Sequence, residues 1–245
     1  MAGDTSPRDD SGRARKGRVI AIDGPAASGK SSTAQWVAQQ LGFRHVDSGA
    51  LYRALTAVRL RTPDDTNTWK ERDVLSGGNR VRLVPHGTSF APLIDGERVE
   101  AELRGSDVTR LVSRVASMPG VRDWVNAQVR LAAIENDVVV DGRDIGTVVF
   151  PDADLKIFLV ADSWERARRR LTQHLDRSPT DEEIAAETER LVHRDAKDAT
   201  QTVQAKDAVL IDTTRLTQEE QVERIVALAR AVTQRPKGTS GVDHE

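Results

Sequence analysis

Several things are missing from this 245-residue chain, and each absence removes a class of function. There is no cysteine, which excludes disulfides, thiolate nucleophiles and thiolate metal sites. No apolar run approaches the roughly 20 residues that a membrane-spanning helix needs. Residues 1–17 carry charges of both signs without an apolar core, unlike a secretory signal. Nor is there a surplus of basic residues: 36 Lys and Arg against 38 Asp and Glu leave a formal net charge of −2. A chain so balanced lacks the basic face of a general nucleic-acid binder, so any affinity for phosphate has to be local. The expectation is a cytoplasmic monomer that engages neither membrane nor nucleic acid.

What is present begins with Val19-Ile20-Ala21-Ile22-Asp23, four apolar residues in a row that read as a strand buried on both faces. The loop Gly24-Pro25-Ala26-Ala27-Ser28-Gly29-Lys30-Ser31 follows, then Ser32 and a run with Ala34, Val37, Ala38 and Leu41 at helical spacing. Strand, glycine loop and helix in that order are the context that a phosphate-binding loop requires. Gly24 and Gly29 let the backbone turn so that its N–H groups converge on an anion, and the helix N-terminus adds positive potential. Lys30 supplies a point charge for the outer phosphates, and the Ser31 hydroxyl suits Mg²⁺. This is a nucleotide-phosphate site.

The rest of the chain alternates. Phe43 to Asp47 reads as a second strand, followed by a helix with Ser48 as its expected N-cap and Tyr52 and Arg53 in its first turn. His45 stands alone, without a partner at metal-ligand spacing, and is read as structural. From about residue 66 to residue 132 the pattern changes. Two short extended runs, Val81–Val84 and Phe90–Ile94, predict an antiparallel element, and Val108, Leu111, Val112 and Val115 form one helical face. Pro119 starts a further helix, read with Val121, Trp124, Val125, Gln128 and Leu131 on one side. Buried strands return at Val138–Asp141 and Leu155–Val160, and Ala208–Asp212 reads as the last strand. Capping boxes are expected at Asp162–Glu165, Thr180–Glu183 and Thr217–Glu220, the last opening a helix whose Val222, Ile225, Val226, Ala229 and Val232 face the core. The predicted fold is three-layer α/β/α, with a parallel sheet covered by helices on both sides and a small inserted subdomain bearing short antiparallel strands. Residues 1–17 and 234–245 read as loose tails around a domain of residues 18–233, with the insertion at about 66–132 and a lid at about 174–206.

A glycine loop alone does not separate ATPases, GTPases and kinases, so the arginine-rich segments must decide. Arg53 follows the second strand, Arg143 and Asp144 close the Val138 strand, and Arg166 to Arg170 share a helix. Guanidinium forks suit phosphate, and several together can stabilise charge spread over a transferring phosphoryl group. A hydrolase needs a positioned water, whereas a kinase needs a second substrate and a lid that excludes water. Arg190, Arg194 and Asp198, four apart on one helix, suit such a lid. The bland alternative for that helix is a solvated face with i,i+4 ion pairs.

Four stretches together resemble the bacterial cytidylate kinase family: Gly24–Ser31, Asp47-Ser48-Gly49-Ala50-Leu51-Tyr52-Arg53, the run from Asp141 to Pro151, and Glu165-Arg166-Ala167-x-Arg169-Arg170. Within the insertion, Ser113-x-Val115-Ala116-x-x-Pro119-x-Val121-Arg122 is similar to the family's nucleotide-binding subdomain. The resemblance implies transfer of the ATP γ-phosphoryl group to CMP or dCMP. It implies ATP and Mg²⁺ at Gly24, Pro25, Ala26, Ala27, Ser28, Gly29, Lys30, Ser31 and Ser32, with Arg169 on the ATP side and Ser31 on the metal. Arg53, Arg143 and Arg194 would grip the acceptor's phosphate and act with Lys30 in catalysis. Ser48 and Tyr52 would shape the acceptor site, Ser113, Arg122 and Asp144 would read the base, and Asp198 would meet the sugar. Cytosine presents an amino donor beside two acceptors, so a carboxylate for N4 and an arginine for N3 or O2 make chemical sense. Asp141 is expected to fix the loop or the metal's water shell, a purely structural role being the alternative.

There is one departure from the family's pattern. Its lid reads Arg-Asp-x-x-Asp-x-x-Arg with a Pro-Leu pair beyond, whereas Arg194-Asp195-x-x-Asp198 is followed here by Gln201 and no Pro-Leu. A missing clamp arginine predicts slower transfer, with Lys197 or Arg169 as candidate replacements. Two other readings follow: a nucleotide-binding protein with weak catalysis, and a GTPase or ATPase switch, the latter disfavoured because no Asn-Lys-x-Asp guanine motif follows.

Overall fold

In the computed structural model, which describes residues 17–173 and 175–233, strand β1 (Val19–Asp23) lies between two parallel neighbours, β5 (Val138–Asp141) and β6 (Leu155–Val160). All five β1 residues are buried, as its unbroken apolar run requires. Alternation decides which layer each residue joins. Ile20 and Ile22 pack with Val139, Ile157 and Leu159 under helices α1 (Lys30–Leu41) and α9 (Gln218–Thr233). Val19 and Ala21 face the other way, with Val46 and Val140, under α2 (Ser48–Leu60), α5 (Ser106–Ala116) and α6 (Pro119–Ala132). The seven strands run in the order β3-β4-β2-β5-β1-β6-β7, where β2 is Arg44–Asp47, β3 Val81–His86, β4 Ser89–Ile94 and β7 Val209–Asp212. Every pairing is parallel except β3 with β4.

The antiparallel hairpin extends the main sheet, because β4 pairs with β2 at His45 and Ser89. Apolar residues of the short helices α3 (Glu71–Leu75) and α4 (Glu100–Leu103), and of α5 and α6, join the cluster beneath α2 instead of forming a core of their own. Across the cleft from these helices, α7 (Ser163–Thr172) and α8 (Asp181–Asp198) meet the glycine loop through a small cluster of Ala26, Ala167, Ile184 and Leu191. None of the described helices is long and apolar enough to cross a membrane. The expected tails, bar their inner edge at Gly17, lie outside the described residues, as does His174 at the start of the expected lid.

Local chemistry corrects several expectations. Asp47, not Ser48, caps α2: its carboxylate accepts the Ala50 N–H at 3.2 Å, while the Ser48 hydroxyl donates to the Asp141 carbonyl at 2.8 Å. Strand β2 starts at Arg44, because the Phe43 amide closes the end of α1 on the Ala38 carbonyl behind a left-handed Gly42. Asp162 caps α7 alone, since its own N–H goes to Thr214 and Glu165 turns to Arg168 and Arg169. The buried face of α6 is Val121, Val125, Val129 and Ala132, leaving Leu131 58% exposed. Val232, at the end of α9, is also exposed. The boxes at Thr180 and Thr217 form as expected.

Candidate active site

The ends of β1, β2 and β5 open onto a cleft of about 1070 Å³, the position where open α/β sheets hold ligands. The glycine loop forms its floor. Gly24 has φ 148°, and a Cβ there would stand 2.2 Å from the Leu159 carbonyl oxygen, so no other residue fits. Ala27 takes a left-handed φ of 58° without being glycine, a local strain of the kind concentrated at functional loops. The Lys30 ammonium bends back to the Pro25 carbonyl at 2.5 Å, and the buried Ser28 hydroxyl donates to the same oxygen at 3.1 Å. Burial, and then the Arg143 charge, hold the Lys30 pKa well below its ordinary value. Ala26, Ala27, Gly29, Lys30, Ser31 and Ser32 line the cleft, while Gly24, Pro25 and Ser28 shape the loop from behind.

Asp141 is the hub beneath that floor. One carboxylate oxygen accepts the Ser31 hydroxyl at 2.6 Å, and the other lies 2.7 Å from His45 Nε2. Burial opposes ionisation of Asp141, but the hydrogen bond and charge of His45, the Ser31 hydroxyl and the Lys30 charge outweigh it, and its pKa falls. Burial likewise opposes protonation of His45, and Asp141 reverses the balance, so the imidazole pKa rises. Burial, and then the Asp141 charge, push Asp47 upward. At the end of β1, Asp23 accepts the Ile145 and Gly146 amides, both at 2.8 Å, and holds the turn that carries Arg143 and Asp144. Burial drives its carboxyl up to about 6 against the pull of those two amides.

Across the cleft four arginines from four segments converge: Arg53 on α2, Arg143 after β5, Arg170 on α7 and Arg194 on α8. Burial, then Arg143, and also Arg53 and Arg170, press the Arg194 guanidinium down to about 10, with Asp198 alone opposing them. Asp198 lies 3.5 Å from the Nε of Arg143 and 3.7 Å from that of Arg194, and neither buried Nε has a hydrogen-bond partner. Arg53 is steadied by the Leu103 carbonyl and the Thr109 hydroxyl, both at 3.1 Å. Such a crowd of like charge, with donors left over, has the chemistry that suits a multiply charged anion.

At the far end Arg122 donates to Asp144 and, at 3.0 Å, to the side-chain oxygen of Gln201. Ser113 and Tyr52 line the same region, and burial pushes the Tyr52 phenol up to about 12. Gln201 therefore sits on Arg122 and not on the arginine cluster. The candidate replacements for it do not join the arginine cluster either. Lys197 is exposed, and Arg169 is tied to Glu165 at 2.8 Å and the Thr213 carbonyl at 2.7 Å on the cleft's other flank. Arg190, expected beside Arg194, turns outward to Glu187. Sequence reasoning missed Arg170, visible only as one of several arginines on α7, and Arg104, which lines the cleft unpredicted. His45, read as structural, is paired with Asp141, a partner 96 positions away that carries no local signal.

A seven-stranded α/β sheet with a glycine loop at the end of β1, and an arginine cluster facing that loop, define a P-loop kinase. The family model for cytidylate kinase matches residues 20–231. A cytidylate kinase of Chloroherpeton thalassium is 40% identical over 87% of this chain and 94% of its own length. One of Geobacillus thermodenitrificans is 42% identical over 85% and 95%, and one of Desulfitobacterium hafniense 41% over 87% and 93%. The chain belongs to the cytidylate kinase family.

Proposed function

We propose that this chain transfers the γ-phosphoryl group of ATP to CMP or dCMP, giving the corresponding diphosphate and ADP. The observation that carries the reading is the opposition of two anion sites in one cleft, a backbone cradle at Gly24–Ser32 and the guanidinium cluster of Arg53, Arg143 and Arg194. In this reading the loop amides and Lys30 hold the donor's phosphates, with Arg169 on the donor side. The cluster grips the acceptor's phosphate and counters charge as the phosphoryl group moves between the two. Bringing both substrates into one cleft makes the reaction effectively unimolecular, and closure of α8 would keep water from competing as acceptor. Asp144 would accept from the cytosine amino group and Arg122 would donate to its ring acceptors, with Ser113 and Tyr52 shaping the pocket. Ser48 would flank the acceptor and Asp198 its sugar. Uracil would turn a carbonyl towards Asp144, leaving two acceptors opposed, a strong basis for discrimination.

The donor set fits Mg²⁺ delivered with the nucleotide. Among the described residues no group of three or more His, Asp or Glu could hold a metal by itself. Ser31, which donates a hydrogen bond to Asp141 and keeps lone pairs free, would supply one hard oxygen beside the phosphates. When bound, the ion neutralises phosphate charge and orients the transferred group. A coupled ADP-release assay with CMP, dCMP, UMP and AMP tests the proposal. Rapid release with the cytidine nucleotides alone is the expected result. Tight binding without turnover, or release that needs no acceptor, would overturn it.

A further inference from the structure

His45 is the one buried imidazole among the described residues, and it lines the cleft where β2 ends, beside Asp141. It lies on β2, which runs parallel to β5 with Asp47 opposite Asp141. Strand alternation sends His45, Asp47 and Asp141 to the same side of the sheet, towards α1, while Val46 and Val140 enter the opposite core. The imidazole therefore reaches Asp141 diagonally, Nε2 to Oδ1 at 2.7 Å, and Asp141 Oδ2 accepts the Ser31 hydroxyl at 2.6 Å. An ionised carboxylate only accepts, so both contacts are donations to Asp141. The result is one chain, His45 to Asp141 to Ser31, running from the second strand to the first turn of α1.

We infer that His45 is a positioning residue for the metal-bound nucleotide, acting through Asp141 on the Ser31 hydroxyl. The inference rests on the proposed role of Ser31 and deepens it. A serine hydroxyl rotates freely unless its proton is claimed. When Asp141 claims it, the oxygen's lone pairs turn towards the loop, where a hard cation bound to phosphate would need them. Asp141 can hold that orientation only if its second oxygen is also satisfied, since a buried carboxylate with an unpaired oxygen rotates towards another donor or takes up a proton. The backbone of Asp141 is already fixed, its carbonyl accepting the Ser48 hydroxyl at 2.8 Å. Its carboxylate torsion is thus the remaining freedom, and His45 removes it.

The test compares full-length wild type with His45→Phe, which keeps a ring but no donor, and His45→Gln, which keeps an N–H donor. Calorimetric titration with ATP in Mg²⁺ and with ATP in EDTA reads the metal's contribution without turnover. His45→Phe should cut the gain that Mg²⁺ brings to ATP affinity by about tenfold, the scale for removing a partner that orients a metal ligand, while metal-free ATP binds as in the wild type. Its kcat should fall similarly with KM for CMP unchanged, and His45→Gln should restore both. A Mg²⁺ gain equal to that of the wild type in His45→Phe would overturn the inference and leave the ring as packing. If His45→Phe does not fold, His45→Asn, polar but too short to reach Oδ1, should show the same loss, and an unaltered Mg²⁺ gain there is equally fatal. Failure of the kinase reading would instead appear as a wild type that releases no ADP with CMP.

Discussion

The two halves of the cleft solve the problem of holding phosphate in opposite ways. On the glycine-loop side the loop's own hydrogen-bonding side chains, and the carboxylate beneath them, have partners within the protein: Lys30 and Ser28 on the Pro25 carbonyl, Ser31 on Asp141, Asp141 on His45. The arginine side is the reverse. Arg143 and Arg194 share one carboxylate, Asp198, each carries a buried Nε without a hydrogen-bond partner, and Arg53 and Arg170 add to the repulsion. One half is a finished structure, and the other keeps donors in reserve.

That contrast can be broken by substitutions that cost activity equally yet move stability in opposite directions. Arg194→Met should lower kcat by about a thousandfold, on the scale of an arginine that meets the transferring group. It should also raise the Tm of the ligand-free chain, because relieving a half-buried, repelled charge gains about 1 kcal/mol. Ser31→Ala should lower kcat and Tm together, since it leaves a buried Asp141 oxygen unpaired at a cost of about 1–3 kcal/mol. Enzyme assay and differential scanning calorimetry on the two variants check the pair. Next in size, Asp144→Ala should narrow the preference for CMP over UMP in kcat/KM by about a hundredfold, read in competition assays. Gln201→Ala should raise KM for CMP about fivefold with kcat unchanged, the net scale of one hydrogen bond that holds the Arg122 guanidinium in place.

The smallest effect concerns Asp23, which braces the turn between the two halves. Its carboxyl titrates at about 6 in the folded chain against 3.8 ordinarily, so the folded state keeps a proton that the unfolded state has released. The stability linked to Asp23 is therefore present below that window and is lost as pH rises through it. Asp23→Asn lacks the slope, so the Tm advantage of the wild type over this variant should shrink between about pH 4 and about pH 6.

How much of each half could be read in the sequence follows the same division. The glycine loop is contiguous, and its strand, turn and helix announce themselves by period and by glycine. The alternating strands predicted the parallel sheet and the antiparallel pair for the same reason. The arginine cluster is assembled from residues 53, 143, 170 and 194, and no local pattern distinguishes Arg170 from its neighbours on α7, or Arg194 from Arg190. Family resemblance supplied three of the four. Tertiary competition defeated the remaining expectations: Ser48 loses the cap to Asp47 because Asp141 claims its hydroxyl, and Gln201 is drawn to Arg122. The link between His45 and Asp141 depends on β2 lying beside β5, and a strand's own residue pattern does not name its neighbour.

A crystal structure of the chain with CMP and a non-hydrolysable ATP analogue bound together tests the central claim most directly. The account predicts the CMP phosphate within hydrogen-bond reach of Arg53, Arg143 and Arg194, its pyrimidine against Arg122 and Asp144, and the analogue's phosphates in the Gly24–Ser32 loop. A CMP phosphate seated away from those three arginines, with both Nε atoms still unpaired, would contradict it.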